Sequence, residues 1–110
     1  MKLSNSKNVS ISKNKLINYL LSETHPVGSS KAKFFRKLGF NNSNVDILIE
    51  SFTDIAQSNE IKESRKLPYG TNYVVNGIID SPSGKKVKIS TVWFVEKEEG
   101  NPRFITAYPL

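Results

Sequence analysis

The spacing of apolar residues changes once along this 110-residue chain, and that change limits the folds open to it. Up to residue 56, apolar side chains recur every three or four residues, which is typical of amphipathic helices. From Glu60 onward they alternate with polar side chains, which is typical of half-buried strands. Helices followed by a run of consecutive strands indicate an α+β fold.

Three helices are predicted in the first part of the chain. The first covers residues 13–22, with Ser12 as its N-cap. The second is the segment KAKFFRKL, which Gly39 should end because glycine tolerates the backbone of a helix stop. The third begins at Ser43 or Asn44 and carries a long apolar face.

The second part predicts three or four strands joined by short turns. EIKESRKL is a weak strand, TNYVVNGIID and KKVKISTVWFVEK are stronger ones, and RFITAY is the last. The segments SPSG and EEGNP supply turns, so consecutive strands should pair antiparallel. We therefore expect two to three N-terminal helices packed on one face of a three- to four-stranded antiparallel meander sheet. Residues 1–110 should form a single domain, with residues 1–11 as a flexible or edge-strand arm.

The composition narrows the possible functions. The chain has no Cys and one His, which argues against disulfides, thiolate metal sites and His-rich zinc sites. Its apolar stretches are too short to span a bilayer. The first ten residues contain no apolar run that could act as a secretion signal. We expect a cytoplasmic protein with no membrane contact, no metal and no cofactor.

The net charge of +6 is unevenly distributed. Residues 1–40 contain eight Lys or Arg residues against one acid, Glu23. A basic half favours a polyanionic partner such as RNA, although a solvated lysine-rich surface is the simpler alternative.

The segment HPVGSSK contains the one histidine and leads into the second predicted helix. A helix N-terminus presents free N–H groups and partial positive charge to a phosphate. Ser29 and Ser30 would add hydroxyls and Lys31 an ammonium, while His25 titrates near neutral pH and can transfer a proton. The alternative is that His25 only caps or packs against the loop.

The last strand offers a second group of phosphate ligands. Strand alternation puts Thr106 and Tyr108 on one face, where each hydroxyl can donate to a phosphate oxygen. Arg103, at the start of the strand, can clamp a phosphate with two hydrogen bonds. The alternatives are a Tyr that covers the sheet edge and an Arg103 that pairs with Glu96 or Glu98.

These residue types suit the cleavage of RNA without a metal. A base takes the proton of the 2′-hydroxyl, cations and donors stabilise the phosphorane, and an acid protonates the leaving 5′-oxygen. The predicted catalytic set is His25, Lys31, Arg103, Thr106 and Tyr108. The predicted substrate-binding set is Ser29, Ser30, Lys33, Lys88 and Thr91. For Thr91, which interrupts an apolar row beside Trp93, an ordinary half-buried strand threonine is the alternative.

Three segments resemble a family of small bacterial proteins of unknown function: YLLSETHPVGSSKAKFFRKLGF, YGTNYVVNGIIDSPSGKKVKISTVWFV and RFITAYP. Members of that family look like "HP.G..KARFF..LGF", "T.W" and "R(L/V).TAYP". Their genes often stand beside small partner genes, which implies a toxin–antitoxin arrangement. The layout also resembles the barnase–EndoU–colicin–RelE superfold of ribonuclease toxins, several of which end in a Thr-x-Tyr strand near a His and basic residues.

The resemblance implies a metal-independent endoribonuclease toxin of a toxin–antitoxin or contact-competition system. It would cleave RNA, with tRNA among its candidate substrates, to 2′,3′-cyclic phosphate and 5′-hydroxyl ends, and a cognate antitoxin or immunity protein would be its partner. With a single His, Tyr108 or Lys31 would have to move the second proton. The alternatives are a non-catalytic nucleic-acid-binding or toxin/immunity partner module and an enzyme that acts on a nucleotide or NAD.

Overall fold

The computed structural model describes residues 1–24, 29–97 and 100–110. Three helices, α1 (Lys13–Lys15), α2 (Ser29–Lys37) and α3 (Val45–Ser58), precede four strands. The strands β1 (Ile61–Leu67), β2 (Gly70–Asp80), β3 (Lys86–Glu96) and β4 (Arg103–Pro109) pair antiparallel in the order β1-β2-β3-β4. The predicted α+β class, with helices N-terminal to a meander sheet, is therefore confirmed.

Helix α1 is shorter than the predicted helix and continues as a π-helical segment, Leu16–Leu20. The Ser12 hydroxyl accepts a hydrogen bond from the Lys15 backbone N–H and caps α1, as expected. The Leu21 N–H donates to the Leu16 carbonyl, five residues back, which is the bond of a π-turn. This wide turn buries Leu16, Leu20 and Leu21 completely and ends the helix at Leu20.

Helix α2 ends at the glycine that the sequence predicts. Gly39 has a φ of 101°, in the left-handed region that favours glycine. The Phe40 N–H donates to the Phe35 carbonyl and the Gly39 N–H to the Arg36 carbonyl, which is the bonding pattern of a Schellman stop. This stop turns the chain toward α3.

Helix α3 lies over the central strands and provides much of the core. It buries Val45, Leu48, Phe52, Ile55 and Ala56 against the sheet. Gly77 of β2 faces this helix, and a Cβ there would stand 2.6 Å from Cγ1 of Ile55. The close approach of α3 thus depends on a missing side chain.

A β-bulge in β4 decides which of its side chains enter the core. Trp93 pairs with Phe104, but the preceding Val92 pairs with Thr106, so Ile105 is the extra residue. Simple alternation would put Phe104 on the face of Thr106, whereas the bulge buries Phe104 together with Ala107. Thr106 remains on the face of Tyr108, as the sequence predicts.

Residues 1–11 pack onto the body of the protein. Leu3 is buried, and the Ile61 N–H donates to the Met1 carbonyl. After a 3-10 turn at Ser6–Asn8, Ser10 forms a single parallel bridge with Arg103 at the edge of β4. Only Ser10 pairs in the way expected of an edge strand. Among the helices that the structure describes, none has the length and apolar character to cross a membrane.

Candidate functional site

The hydroxyl of Tyr19 joins two of the predicted catalytic residues. The Lys31 ammonium donates to Tyr19 Oη at 2.7 Å, and Tyr19 Oη lies 3.2 Å from the Thr106 hydroxyl. Since an ammonium can only donate, the phenol oxygen accepts from Lys31, whereas either hydroxyl can be the donor between Tyr19 and Thr106. Three separate segments thus meet at one phenol.

A second cation stands beside the same ring. Lys15 Nζ lies 5.9 Å and Lys31 Nζ 5.3 Å from the centre of the Tyr19 ring, close enough for cation–π attraction. Within the described part of the chain, no carboxylate lies within ion-pair distance of either ammonium. We call Lys15, Tyr19, Lys31 and Thr106 the tyrosine cluster; it is positive and half-buried.

Packing beneath the cluster explains its geometry. Leu16 and Leu20 anchor the π-helical segment in the core, and Tyr19 packs half-buried against the same core. Arg36 of α2 donates from Nε to the Leu21 carbonyl at 2.6 Å and lies 3.7 Å from a Glu23 oxygen. These contacts tie α2 to the end of the π-helical segment and so help to hold Lys31 against Tyr19.

The environment lowers the pKa of the Tyr19 phenol below its ordinary value. Partial burial of the ring raises the pKa, but the hydrogen bonds with Lys31 and Thr106 and the charges of Lys31 and Lys15 outweigh that effect. The phenol can therefore lose its proton more readily than a solvated tyrosine can. Such a group can serve as an acid beside an anionic ligand.

The other predicted residues of β4 lie on the same sheet face as Thr106, outside the tyrosine cluster. Tyr108 stands opposite Ser90. Arg103 stands opposite Phe94, with its guanidinium 5.2 Å from the ring centre, and its Nη1 lies 3.6 Å from Oε1 of Glu96. The ion pair with Glu96, one of the alternatives from the sequence, is thus present at an exposed site.

Thr91 is placed where no ligand can reach it. It is 0% exposed, and its hydroxyl donates to the Val75 carbonyl at 2.7 Å and accepts from Trp93 Nε1 at 2.8 Å. Both hydrogen-bonding functions are therefore used inside the core. The structure supports the alternative of a buried strand threonine, and we leave Thr91 out of the site.

The remaining predicted substrate-binding residues are spread around the molecule. Ser29 and Ser30 open α2 and directly precede Lys31 in its first turn. Lys33 is exposed and borders a groove with Phe34. Because it follows Lys31 by two residues on the same helix, its side chain faces away from that of Lys31. Lys88 is exposed and shares the sheet face of Ser90 and therefore of Tyr108. The structure does not bring these lysines to the tyrosine cluster.

His25 and Glu98 lie outside the described residues. In sequence, His25 directly follows Thr24 and precedes α2 by four residues. The segment that contains it therefore joins the elements that carry Tyr19 and Lys31. Within the described residues, no three His, Asp or Glu side chains are grouped as metal ligands would be.

Tyr19 is a site residue that the sequence pattern does not single out. Its one sequence signal is Lys15 four residues earlier, at the spacing of neighbours on a helix face. Among leucines and isoleucines that form a core face, Tyr19 resembles an ordinary packing residue. Its contact with Thr106, 87 positions away, depends on tertiary structure.

The fold is shared with a solved structure. A chain of the "contact-dependent growth inhibition toxin - immunity protein complex from Klebsiella pneumoniae 342" superposes with a TM-score of 0.73 at 24% sequence identity, and the match covers 91% of this chain and 98% of that one. No curated protein matches the sequence significantly. The sequence model of a family described as "Domain of unknown function (DUF6883)" matches residues 2–110, and the chain therefore belongs to that family.

Proposed function

We propose that this protein is a metal-independent endoribonuclease toxin. The observation that carries the proposal is the tyrosine cluster, in which two ammonium groups and two hydroxyls converge on the half-exposed surface. It cleaves RNA, with tRNA among the candidate substrates, by attack of the 2′-hydroxyl on the adjacent phosphorus. The products are a 2′,3′-cyclic phosphate and a 5′-hydroxyl.

The cluster has the chemistry that a phosphodiester requires. Lys15 and Lys31 supply positive charge that no described carboxylate neutralises at ion-pair distance, and Tyr19 and Thr106 supply hydroxyl donors. Donors and cations fixed before the substrate arrives stabilise the charge that develops on a phosphorane. Because RNA provides its own nucleophile, the protein needs no activated Ser or Cys.

The predicted residues take separate roles along the substrate. His25 accepts the 2′-hydroxyl proton, and Lys31 and Thr106 hold the scissile phosphate. Because of the bulge, Arg103 and Thr106 stand opposite Phe94 and Val92, two positions apart on β3 and so roughly 7 Å along the strand. Arg103 therefore contacts a neighbouring phosphate. Tyr108 and Lys88 line the sheet face along which the chain continues, and Ser29 and Ser30 flank the phosphate at the start of α2.

We place this activity in a toxin–immunity or toxin–antitoxin system. The structurally similar chain comes from a complex of a toxin and an immunity protein, which supports that setting. The net charge of +6 suits a polyanionic substrate and an acidic inhibitory partner. A cognate immunity protein would then bind the basic surface and prevent cleavage of the host's own RNA.

The test is incubation of the purified protein with total RNA in EDTA, followed by mapping of the new ends. Wild type should produce 2′,3′-cyclic phosphate ends. His25→Ala should lower the rate by roughly 10²–10⁴-fold because a proton transfer is lost. Lys31→Met should lower it by roughly 10²-fold because charge stabilisation of the phosphorane is lost.

Lys37→Met is the matched control, since Lys37 is exposed on the same helix and has no part in the cluster. It should cleave like wild type. Salt-sensitive RNA binding without cleavage would instead identify a nucleic-acid-binding module. The absence of both would favour the immunity-partner alternative.

A further inference from the structure

We infer that Tyr19 is the proton donor to the leaving 5′-oxygen. This inference rests on the proposed ribonuclease function and assigns the second proton transfer that a single histidine cannot perform alone. From the sequence, Tyr108 or Lys31 would take that role. The geometry points to Tyr19 instead.

The hydrogen bonds around Tyr19 orient its proton. The Lys31 ammonium donates to the phenol oxygen at 2.7 Å, so that oxygen's own hydrogen is directed elsewhere. The Thr106 hydroxyl, at 3.2 Å, is one group that can accept this hydrogen, through a longer bond than that with Lys31. A phosphate ester oxygen that approaches Thr106 can accept the same hydrogen in its place.

The charges around Tyr19 suit an acid rather than a base. When the phenol gives up its proton, the resulting phenolate faces the ammonium groups of Lys31 on α2 and Lys15 on α1. From β4 it faces the neutral hydroxyl of Thr106. Two cations stabilise the phenolate and so favour transfer of the proton to the departing alkoxide.

The alternatives have weaker geometry. Tyr108 stands opposite Ser90, and no cation is placed against its hydroxyl in the contacts of the described residues. The Lys31 ammonium already donates to Tyr19, and as a cation its main effect on a phosphorane is electrostatic. Tyr19 combines a directed proton with a stabilised conjugate base.

The proposed step balances in atoms and charge. The 2′-oxygen bonds to phosphorus as its proton passes to His25, and the bond from phosphorus to the 5′-oxygen breaks. The Tyr19 proton passes to that oxygen, which leaves as a 5′-hydroxyl. The enzyme then holds a protonated His25 and a Tyr19 phenolate, and exchange with solvent restores both.

The test compares two RNA substrates that differ in one atom at the mapped cleavage site. One has the natural 5′-oxygen and the other a bridging 5′-sulfur, whose thiolate leaves without protonation because a thiol has a pKa of about 8.5. Tyr19→Phe keeps the ring and removes the proton. This variant should lower kcat on the oxygen substrate by roughly 10²–10⁴-fold, whereas kcat on the sulfur substrate should change by less than about 10-fold.

Two variants make the comparison specific. His25→Ala should slow both substrates alike, because the 2′-hydroxyl must lose its proton in either case. Tyr73→Phe removes a hydroxyl from a half-buried tyrosine on β2, outside the cluster, and should leave both rates unchanged. Thermal unfolding of each variant confirms that it is folded.

The pH dependence gives a second readout. A donor must be protonated, so cleavage of the oxygen substrate should fall as the pH rises through the lowered pKa of Tyr19. That alkaline decline should vanish with the sulfur substrate.

Equal losses on both substrates in Tyr19→Phe would reduce Tyr19 to a positioning residue and overturn the inference, as would wild-type activity in this variant. If wild type cleaves neither substrate, the proposed function itself fails, and this inference fails with it.

Discussion

At the scale of single residues, Tyr19 shows how a neighbourhood changes a side chain's chemistry. The phenol ring is anchored by a leucine-rich segment, yet its oxygen bonds to Lys31 and Thr106. A residue that the sequence pattern treats as packing therefore carries a phenol whose pKa two neighbouring ammonium groups help to lower.

This environment predicts an early tyrosine titration. The pKa of the Tyr19 phenol should lie below the ordinary value of a tyrosine, because Lys31 and Lys15 stabilise its phenolate. The tyrosinate absorbance of wild type minus that of Tyr19→Phe measures this pKa directly. Lys31→Met should move the transition to higher pH, whereas Lys37→Met should leave it in place. An unchanged transition in Lys31→Met would disprove the assigned cause.

Thr91, in contrast to Tyr19, is a polar residue whose hydroxyl forms its hydrogen bonds inside the core. Thr91→Val keeps the shape of the side chain but leaves the buried Trp93 Nε1–H without its acceptor. The free energy of unfolding should fall by about 1–3 kcal/mol, as measured by denaturant titration. RNA cleavage per folded molecule should not change.

Thr53→Val provides the comparison for that measurement. The Thr53 hydroxyl donates to the Ile49 carbonyl within α3, so its loss leaves no buried donor unpaired. Thr53→Val should therefore lower the free energy of unfolding by less than Thr91→Val does. A larger loss of unfolding free energy in Thr53→Val, or a loss of RNA cleavage seen only in Thr91→Val, would contradict the structural role of Thr91.

At the scale of elements, the connection after α2 depends on backbone conformation as much as on packing. Gly39 stands at a φ of 101° and Gly84, in the turn between β2 and β3, at 90°. Both positions have a positive φ, a backbone conformation that disfavours residues other than glycine. They differ in their surroundings, since a Cβ at Gly39 would lie 2.9 Å from the Pro82 Cβ and one at Gly84 would meet nothing within 4 Å.

Alanine substitutions at these two glycines therefore distinguish the loss of stability caused by backbone conformation from the loss caused by steric contact. Gly84→Ala should lower the free energy of unfolding by roughly 1–2 kcal/mol, the cost of a left-handed backbone. Gly39→Ala should lower it further because of the contact with Pro82. Denaturant titration of both variants measures the difference, and equal costs would show that Pro82 moves aside freely.

The bulge in β4 is the element-scale feature that periodicity misses. Alternation correctly groups Thr106 with Tyr108, but it also assigns Phe104 to their face. Phe104 is instead buried, with its ring stacked 5.1 Å from that of Phe52. A bulge adds one residue, so the parity of every position before it is reversed.

At the scale of the whole molecule, one layer of helices covers one face of the sheet and reaches its β4 edge. Helix α3 packs on β2 and β3, and α2 contacts β4. Because β4 is an edge strand, Tyr19 and Lys31 from the helical layer can meet a side chain of the sheet there. The candidate site is therefore a consequence of how the two layers are joined.

The sequence alone determined the order of helices and strands, the α+β class and the basic charge, and it predicted Lys31 and Thr106 as site residues. These properties depend on local spacing and composition, because burial repeats every 3.6 residues in a helix and every two in a strand. Tertiary structure alone decided that Tyr19 joins Lys31 to Thr106, that Thr91 is buried and that Phe104 enters the core. Those outcomes depend on strand register and on contacts between residues far apart in the chain, and local periodicity contains no information about either.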